Sequence, residues 1–225
     1  PNVPMLRNTS AIKKTSIDTV TVISSVSPHM VGHLSSYSIN DDCSFRPSHF
    51  QFGNKEELIG EIPDFRLIRS DSELSVDLRI QTQPVISYFT KFKLGLFDHW
   101  SLMCLCTGEI NYKGQRFSIN QIGSFEYARA INIPYLPLCF FTYQIINLKN
   151  QRQLLLAQIR NNFNQIMQSR IYLRDLNICS AEMYDENVQF KIHRVYPKVK
   201  TPNGQEMYLP REFEWNYQDS KRQIN

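Results

Sequence analysis

One stretch near the middle of the chain, GSFEYARA at 123–130, places an acid, a phenol and a guanidinium within four residues. On a β-strand, successive side chains point to opposite faces. Glu126 then shares its face with two small side chains, Ser124 and Ala128, and Tyr127 lies on the other face. If that first face is inward, the carboxylate has space around it, as in a pocket.

The pattern leaves two environments open for this carboxylate. In an inward position, desolvation raises the pKa of Glu126 and makes the group a usable proton donor. In an outward position, Glu126 is an ordinary solvated strand residue. Tyr127 is most simply a core or rim aromatic.

The histidines form no ready-made site. Asp98 and His99 are adjacent, so on a strand they face opposite ways, and His99 is interpreted as a strand-entry residue. His29 and His33 are four apart, but the proline and glycine around them argue against a helix. On a strand they would lie about 13 Å apart, too far for one ion. We therefore predict no metal and, without a nucleotide-binding or hydrolase motif, no cofactor.

The composition limits the class of protein. The 225 residues are 42 % hydrophobic and 20 % charged, enough for one large all-β domain or two small ones. The net charge of +4 is scattered, without the basic stripe of a nucleic-acid-binding protein. No stretch reaches the roughly 18 apolar residues of a membrane span.

Five cysteines cannot all pair, and none forms a CxxC motif. Most lie in apolar or mixed strand-like runs, where we expect free, buried thiols. Such thiols are typical of a reducing compartment, so the expected location is cytoplasmic. The alternative, a reactive cysteine, has no convincing histidine partner in sequence reach.

The elements that position Glu126 follow a hydrophobic period of two, typical of half-buried strands. ELSVDLRI (73–80) is the clearest case. HWSLMCLCTGEI (99–110) is predicted to be central, and the NYKG turn at 111–114 returns the chain through the strand of Glu126. A second hairpin is predicted from 138–148 to 152–160, with further strands in the tail.

One segment carries two patterns. Leu155, Ile159, Phe163 and Ile166 are spaced as on a helix. We predict a strand to about residue 160 followed by a short helix or loop, with one long helix as the alternative. Many short strands of this kind indicate a sandwich or barrel, and large barrels with aromatic interiors hold small apolar ligands.

The order of the pieces resembles a known group. ELSVDLRI leads to WSLMCLCTGEINYKGQRFSINQIGSFEYARA, then to FFTYQIINLKNQRQLLLAQIR and to a tail ending in GQEMYLPREFEWNY. Over roughly residues 30–217 this order is similar to the lipocalin-related superfamily of carotenoid 1,2-hydratases, AttH-like proteins and some Diels–Alderases, above all its uncharacterised bacterial members.

The resemblance implies an all-β fold with little helix, built of two consecutive lipocalin-like antiparallel β-barrels or sandwiches. We expect a polar leader at 1–18, an N-terminal β-domain at 19–130 and a C-terminal β-domain at 131–225. It also implies an apolar, lipid- or terpenoid-like ligand in a cavity.

The resemblance further implies site residues. Glu126 and Tyr127 stand where the hydratase branch carries its acid–base motif, and the histidine of that motif is missing here. Arg160 matches the arginine that ends the family's long hairpin. These three are the candidate catalytic residues. The candidate ligand-binding residues are Ser124, Trp100 and Tyr143.

Three functions follow as alternatives. The first is binding of a small apolar molecule, which predicts an aromatic-lined cavity on the order of several hundred Å³. The second is an enzyme of hydratase, isomerase or cyclase type that acts by proton transfer, with Glu126 as acid or base and a second polar group in hydrogen-bond reach. The third is a structural protein whose barrels are filled by their own side chains.

Overall fold

The computed structural model describes residues 19–26, 31–91, 97–130, 138–161, 163–197, 199–200, 206–207, 210–218 and 223–224. Nearly all of them lie in β-strands, and the one helix among them is the four-residue α1 (Ile39–Asp42). The predicted all-β class with little helix is confirmed. The predicted leader at 1–18 and His29 lie outside the described residues. None of the described helical residues forms a segment long and apolar enough to cross a bilayer.

Two sheets come from the first half of the chain. The strands β1 (Thr19–Val26) and β2 (Val31–Ser38) form an antiparallel hairpin. In a seven-stranded sheet, each strand pairs with the next along the chain. Its strands are β3 (Cys43–Arg46), β4 (His49–Phe52), β5 (Glu56–Glu61), β6 (Asp64–Ser70), β7 (Leu74–Lys91), β8 (Phe97–Tyr112) and β9 (Gln115–Ala130).

The second half of the chain forms three further sheets. An antiparallel four-stranded sheet consists of β10 (Leu138–Asn147), β11 (Arg152–Asn161), β12 (Ile166–Asp175) and β13 (Ser180–Tyr184). A three-stranded sheet consists of β14 (Val188–Val195), β17 (Pro210–Gln218) and β18 (Gln223–Ile224), and a small pair of β15 (Val199–Lys200) and β16 (Glu206–Met207).

The chain divides into two compact units. The first holds the described residues up to Gln81 together with Cys106–Gln121. The second holds Thr82–Leu105 and the described residues from Ile122 onward. The strands β7, β8 and β9 therefore contribute residues to both units. The predicted domain boundary at residue 130 stays a prediction.

The first unit buries a charged pair. Arg69 Nη1 on β6 lies 2.9 Å from Glu56 Oε1 on β5, and the two side chains are only 4 % and 3 % exposed. Ser35 donates to the same carboxylate at 3.0 Å, and Tyr37 donates to its other oxygen. Because a buried charge needs compensation, this pairing allows two charged residues to lie inside the unit.

In the second unit, β11 is covered on both faces. Leu155 and Ala157 pack with Phe89 of β7, and Leu156 packs on the other side with Phe190 and Trp215. A strand buried on both faces reads as a continuous apolar run. The predicted strand to about residue 160 is confirmed, and a turn follows it.

The apolar residues at helical spacing in this segment do not form one buried face. Phe163 is 82 % exposed in the turn, and Ile166 at the start of β12 is also exposed. The two apolar residues beyond the strand therefore matched a helical period without sharing a buried face.

Side chains of β12 bond to the edge of β7 in the second unit. The carbonyl of Tyr88 accepts hydrogen bonds from Arg170 at 3.0 Å and from the hydroxyl of Tyr172. The carbonyl of Phe89 accepts one from Gln168. Backbone acceptors at a sheet edge need partners when they are shielded from water, and here side chains supply them.

The strand β9 is joined to the four-stranded sheet in the same way. Asn147 donates to the carbonyl of Ile122 at 2.9 Å, and Gln153 donates to the carbonyl of Gly123 at 3.4 Å. These bonds come directly before Ser124 in the chain. The side chains of Ser124 and Glu126 are thereby held against β10 and β11.

Candidate functional site

Glu126 lies on β9 within the second unit. Its Oε1 accepts hydrogen bonds from Ser124 Oγ at 2.9 Å and from the Tyr143 hydroxyl of β10. Its Oε2 lies 3.5 Å from His99 Nε2 on β8. The Glu126 side chain is 28 % exposed, whereas that of His99 is only 5 % exposed. The carboxylate therefore lies at the boundary between a buried cluster and solvent. This position is intermediate between the inward and the outward environment that the sequence left open.

Aromatic rings form one wall of this cluster. Phe89 stacks on the His99 ring with centroids 4.5 Å apart and an interplanar angle of 29°. Tyr143 meets Phe89 edge-on at 5.0 Å, and Tyr172 meets it edge-on at 5.8 Å. The rings exclude water from the buried side of Glu126 and strengthen its electrostatic interactions there.

Behind the carboxylate lies Arg174 of β12, whose side chain is completely buried. Its Nη1 donates to Ser101 Oγ at 2.9 Å, and its Nη2 donates to Ser124 Oγ at 3.1 Å and to the Gln153 side-chain oxygen. The two serine oxygens are 2.5 Å apart. No carboxylate of a described residue lies within ion-pair distance of Arg174. Its charge is solvated by neutral groups.

The net direction of the Glu126 pKa is downward. Burial raises this pKa, but hydrogen bonds to His99, Tyr143 and Ser124, with the attraction of His99, together lower it by more. Desolvation alone predicted a raised pKa, and the structure differs because donors surround the charged form. Glu126 is therefore a carboxylate at neutral pH, suited to accept a hydrogen bond or a proton.

The protonation states of Tyr143 and Arg174 complement the negative charge of Glu126. Burial, and after it the negative charge of Glu126, raises the pKa of Tyr143, so its hydroxyl stays protonated and donates. Burial lowers the pKa of Arg174, while Tyr143 and Glu126 act in the opposite direction. Guanidinium groups nevertheless remain charged in proteins. The cluster thus joins one buried cation to one partly exposed anion.

Three of the six predicted site residues lie together. Ser124 and Tyr143 both donate a hydrogen bond to Oε1 of the Glu126 carboxylate. The roles predicted for them remain predictions, since a hydrogen-bonded position does not by itself establish catalysis or ligand contact.

The other three predicted residues lie elsewhere. Tyr127 points to the opposite face of β9, where it stacks on Trp100 at 5.3 Å and is 40 % exposed. Arg160 binds Gln158 at 2.7 Å and Asn164 at 2.9 Å. Neither this ring contact nor these hydrogen bonds involve Glu126. The matching of Tyr127 and Arg160 to family positions therefore did not place them beside the carboxylate.

His99 and Arg174 were not among the predicted site residues. The signal for His99 was present, because alternation puts His99 and Ser101 on one face of β8, and β8 was predicted to form a hairpin with the strand of Glu126. Arg174 had no such signal, since β12 was not predicted. Its position depends on packing between sheets.

The cavity of about 610 Å³ found among the described residues lies in the first unit. Ion pairs line it: Arg66 with Asp77 at 2.7 Å, and Arg79 with Asp64 at 3.0 Å. Its lining holds five charged side chains and one aromatic ring, that of Phe65, and does not include Glu126. The aromatic-lined cavity stays a prediction.

The described cysteines form no disulfide. Cys104 is buried, as predicted, whereas Cys43 and Cys106 are half-buried and Cys179 is exposed in the turn before β13. Cys139 lies in β10, and its side chain is outside the described part of the chain. The cytoplasmic location remains an expectation.

Comparisons with known proteins bear on both fold and family. The crystal structure of a putative AttH from Nitrosomonas europaea matches with a TM-score of 0.62 at 10 % sequence identity, covering 82 % of this chain and 60 % of that one. At this identity the likeness shows the fold, and it confirms the predicted lipocalin-like class. The chain spans 60 % of the length of that protein.

Sequence comparisons give a family. No curated protein matches the chain. The model of a family of unknown function, DUF6670, matches residues 1–225. The chain therefore belongs to the DUF6670 family.

Proposed function

We propose that the protein binds a small, mainly apolar molecule at the second unit and that Glu126 anchors a hydrogen-bond donor of that molecule. The observation that supports this proposal is a partly exposed carboxylate that accepts hydrogen bonds from partly buried Ser124 and Tyr143 and lies beside buried His99 and aromatic rings. The lipocalin-like fold, which encloses apolar ligands in other proteins, is consistent with it.

The chemistry of the carboxylate limits the ligand. An ionised carboxylate only accepts hydrogen bonds, so it favours a hydroxyl or an amine. A ligand carboxylate would place two like charges together and is disfavoured. The partly buried ring of Tyr143, which packs edge-on against Phe89 in the core, offers apolar contact next to this anchor. We therefore propose a lipid- or terpenoid-like alcohol as the ligand class.

A matched pair of probes tests this proposal. Farnesol and farnesoic acid share one terpenoid chain and differ in the polar group, and calorimetric titration at pH 7 compares their affinities. We expect farnesol to bind at least tenfold more tightly. Replacement of Glu126→Gln should weaken farnesol about tenfold or more, since a hydrogen bond to a charged group contributes about 1.5–3 kcal/mol.

The matched control is Glu186→Gln, a carboxylate in the exposed turn between β13 and β14. This variant should bind farnesol like the wild type. Equal binding of the two probes, or unchanged farnesol affinity in Glu126→Gln, would contradict the proposed anchor.

A second candidate function is proton transfer on such a ligand. It is favoured by His99 Nε2, 3.5 Å from Glu126 Oε2, and by the Tyr143 hydroxyl on the other oxygen. A carboxylate with positioned neighbours can serve as a general base. Because the pKa of Glu126 is lowered, it would first accept a proton rather than donate one.

Exchange in D₂O tests this activity. Geranylacetone has protons next to its carbonyl, and mass spectrometry detects their replacement by deuterium. The enzyme hypothesis expects exchange above the buffer rate, lost in Glu126→Gln and reduced in His99→Asn. A wild-type rate equal to that of Glu126→Gln would leave binding as the function.

A further inference from the structure

We propose that Arg174 is a positioning residue that orients the Ser124 hydroxyl and thereby gives the two oxygens of Glu126 different tasks. Oε1 is held by the protein, and Oε2, beside His99, meets the ligand. This inference deepens the proposed function and rests on it for the identity of the working oxygen.

The direction of each hydrogen bond follows from its chemistry. A guanidinium has donors only, so Ser101 and Ser124 must accept from Arg174 at 2.9 and 3.1 Å. A serine hydroxyl has one hydrogen, and Ser124 has a carboxylate oxygen of Glu126 at 2.9 Å. Since that oxygen can only accept, the Ser124 hydrogen points to Glu126, and Ser101 is then the donor in the 2.5 Å contact between the two hydroxyls. Without Arg174, the Ser124 hydroxyl could turn to another acceptor.

The two oxygens of Glu126 are therefore unequal. Oε1 accepts from both Ser124 and Tyr143, which occupy its lone pairs. Oε2 has the long contact to His99 Nε2 at 3.5 Å, which uses at most one of its two lone pairs. Oε2 thus keeps acceptor capacity for a ligand hydroxyl or a proton.

Arg174 is linked to Glu126 through the Ser124 hydroxyl, and we call these two consecutive hydrogen bonds the relay. Charged or titratable side chains from three strands face the carboxylate or its relay: His99 from β8, Tyr143 from β10 and Arg174 from β12. Cys104 of β8 interacts electrostatically with Arg174. Tyr172 of β12 instead donates to the carbonyl of Tyr88. Arg174 is the one permanent cation in this set, so its removal should favour protonation of Glu126.

A titration without ligand measures the relay. In protein labelled with ¹³C at the glutamate carboxyl carbon, the resonance missing from Glu126→Gln identifies the group, and its shift against pH gives the pKa. We expect Arg174→Met to raise the pKa of Glu126 by about one pH unit or more. Arg174→Lys, which keeps the charge, should restore part of the wild-type value.

A double-variant cycle tests whether Arg174 acts through Ser124. In the background of Ser124→Ala, the additional change Arg174→Met should raise the pKa of Glu126 less than it does in the wild type, because the shared link is already absent. Arg160→Met on β11 is the matched control, since Arg160 also binds neutral groups but is not connected to Glu126. It should leave the pKa unchanged.

Two results would overturn the inference. One is an unaltered Glu126 pKa in folded Arg174→Met, and the other is an equal effect of Arg174→Met with and without Ser124. If Arg174→Met does not fold, Arg174→Gln, which keeps donor groups without charge, takes its place in both comparisons. A raised pKa without farnesol binding would support the relay and contradict the proposed ligand.

Discussion

Among the described residues, each unit buries one arginine, and the two have opposite surroundings. In the first unit, Arg69 meets Glu56 at 2.9 Å, and both are almost completely buried. In the second, Arg174 is equally buried but is held by two serines and a glutamine. The charge of Arg69 is neutralised by the carboxylate of Glu56. Arg174 instead donates to the Ser124 hydroxyl, which in turn donates to the partly exposed carboxylate of Glu126.

The difference separates a structural pair from a candidate site. A cancelled ion pair gives geometric specificity, and removing one partner leaves the other charge buried. An arginine among neutral groups loses hydration free energy on burial without gaining an ion pair. Its positive charge instead stabilises an anion nearby. Strongly perturbed groups beside an accessible carboxylate are typical of functional sites. This contrast supports Glu126, rather than Glu56, as the carboxylate of the proposed binding site.

The largest expected effect is on stability. The change Arg69→Met leaves Glu56 as an unpaired buried charge and should lower the free energy of unfolding by about 3–5 kcal/mol. The change Arg174→Met leaves only neutral polar groups without a donor and should cost about 1–3 kcal/mol. Urea unfolding followed by circular dichroism compares the two variants.

Arg79→Met is the control for this comparison, because its exposed pair with Asp64 should contribute about 0–1 kcal/mol. Equal losses for Arg69→Met and Arg174→Met would remove the distinction between the two arginines.

The next largest effect concerns the stability of the fold at acidic pH. Because the folded pKa of Glu126 lies below its ordinary value, the carboxylate stabilises the fold above the unfolded pKa, and this contribution is lost as pH falls through the folded pKa. Unfolding measured from pH 6 to pH 3 should therefore show a smaller acid loss in Glu126→Gln than in the wild type. Glu186→Gln should retain the wild-type curve. A steeper acid loss in Glu126→Gln would mean that the folded pKa is raised.

The smallest effect separates two tyrosines of the second unit. Tyr143→Phe removes a donor to Glu126, and we expect farnesol affinity to change about threefold to tenfold, since one hydrogen bond contributes about 0.5–1.5 kcal/mol. Tyr127→Phe keeps the ring that stacks on Trp100 and should change affinity less than about twofold. A larger effect at Tyr127 would support the predicted role of that residue and weaken the case for this cluster.

Much of the strand framework was predictable from local pattern. Alternation and the NYKG turn indicated the hairpin of β8 and β9, and the run around Leu155 indicated a buried strand. The region between residues 31 and 70 was not predicted as strands. Its short elements carry buried Glu56 and Arg69, and charged side chains inside a fold disrupt the apolar alternation that marks a strand.

The site itself was predictable only in part. The period of two placed Ser124 and Glu126 on one face, and both lie at the candidate site. The same period put Tyr127 on the other face, but family position made it a candidate all the same. Arg160 was matched by its place at a hairpin end, which does not specify the neighbours of a side chain across sheets.

The sequence by itself determined part of the strand framework, the hairpin of β8 and β9 and the face of β9 that Glu126 shares with Ser124, because side-chain alternation is a property of neighbouring residues in one chain segment. Only the tertiary structure decided that His99, Tyr143 and Arg174 surround that carboxylate and that its pKa falls. Those partners come from three other strands, and their approach depends on how the layers of the second unit pack. Desolvation and hydrogen bonding then act in opposite directions, and the balance is set by distances that no local pattern contains.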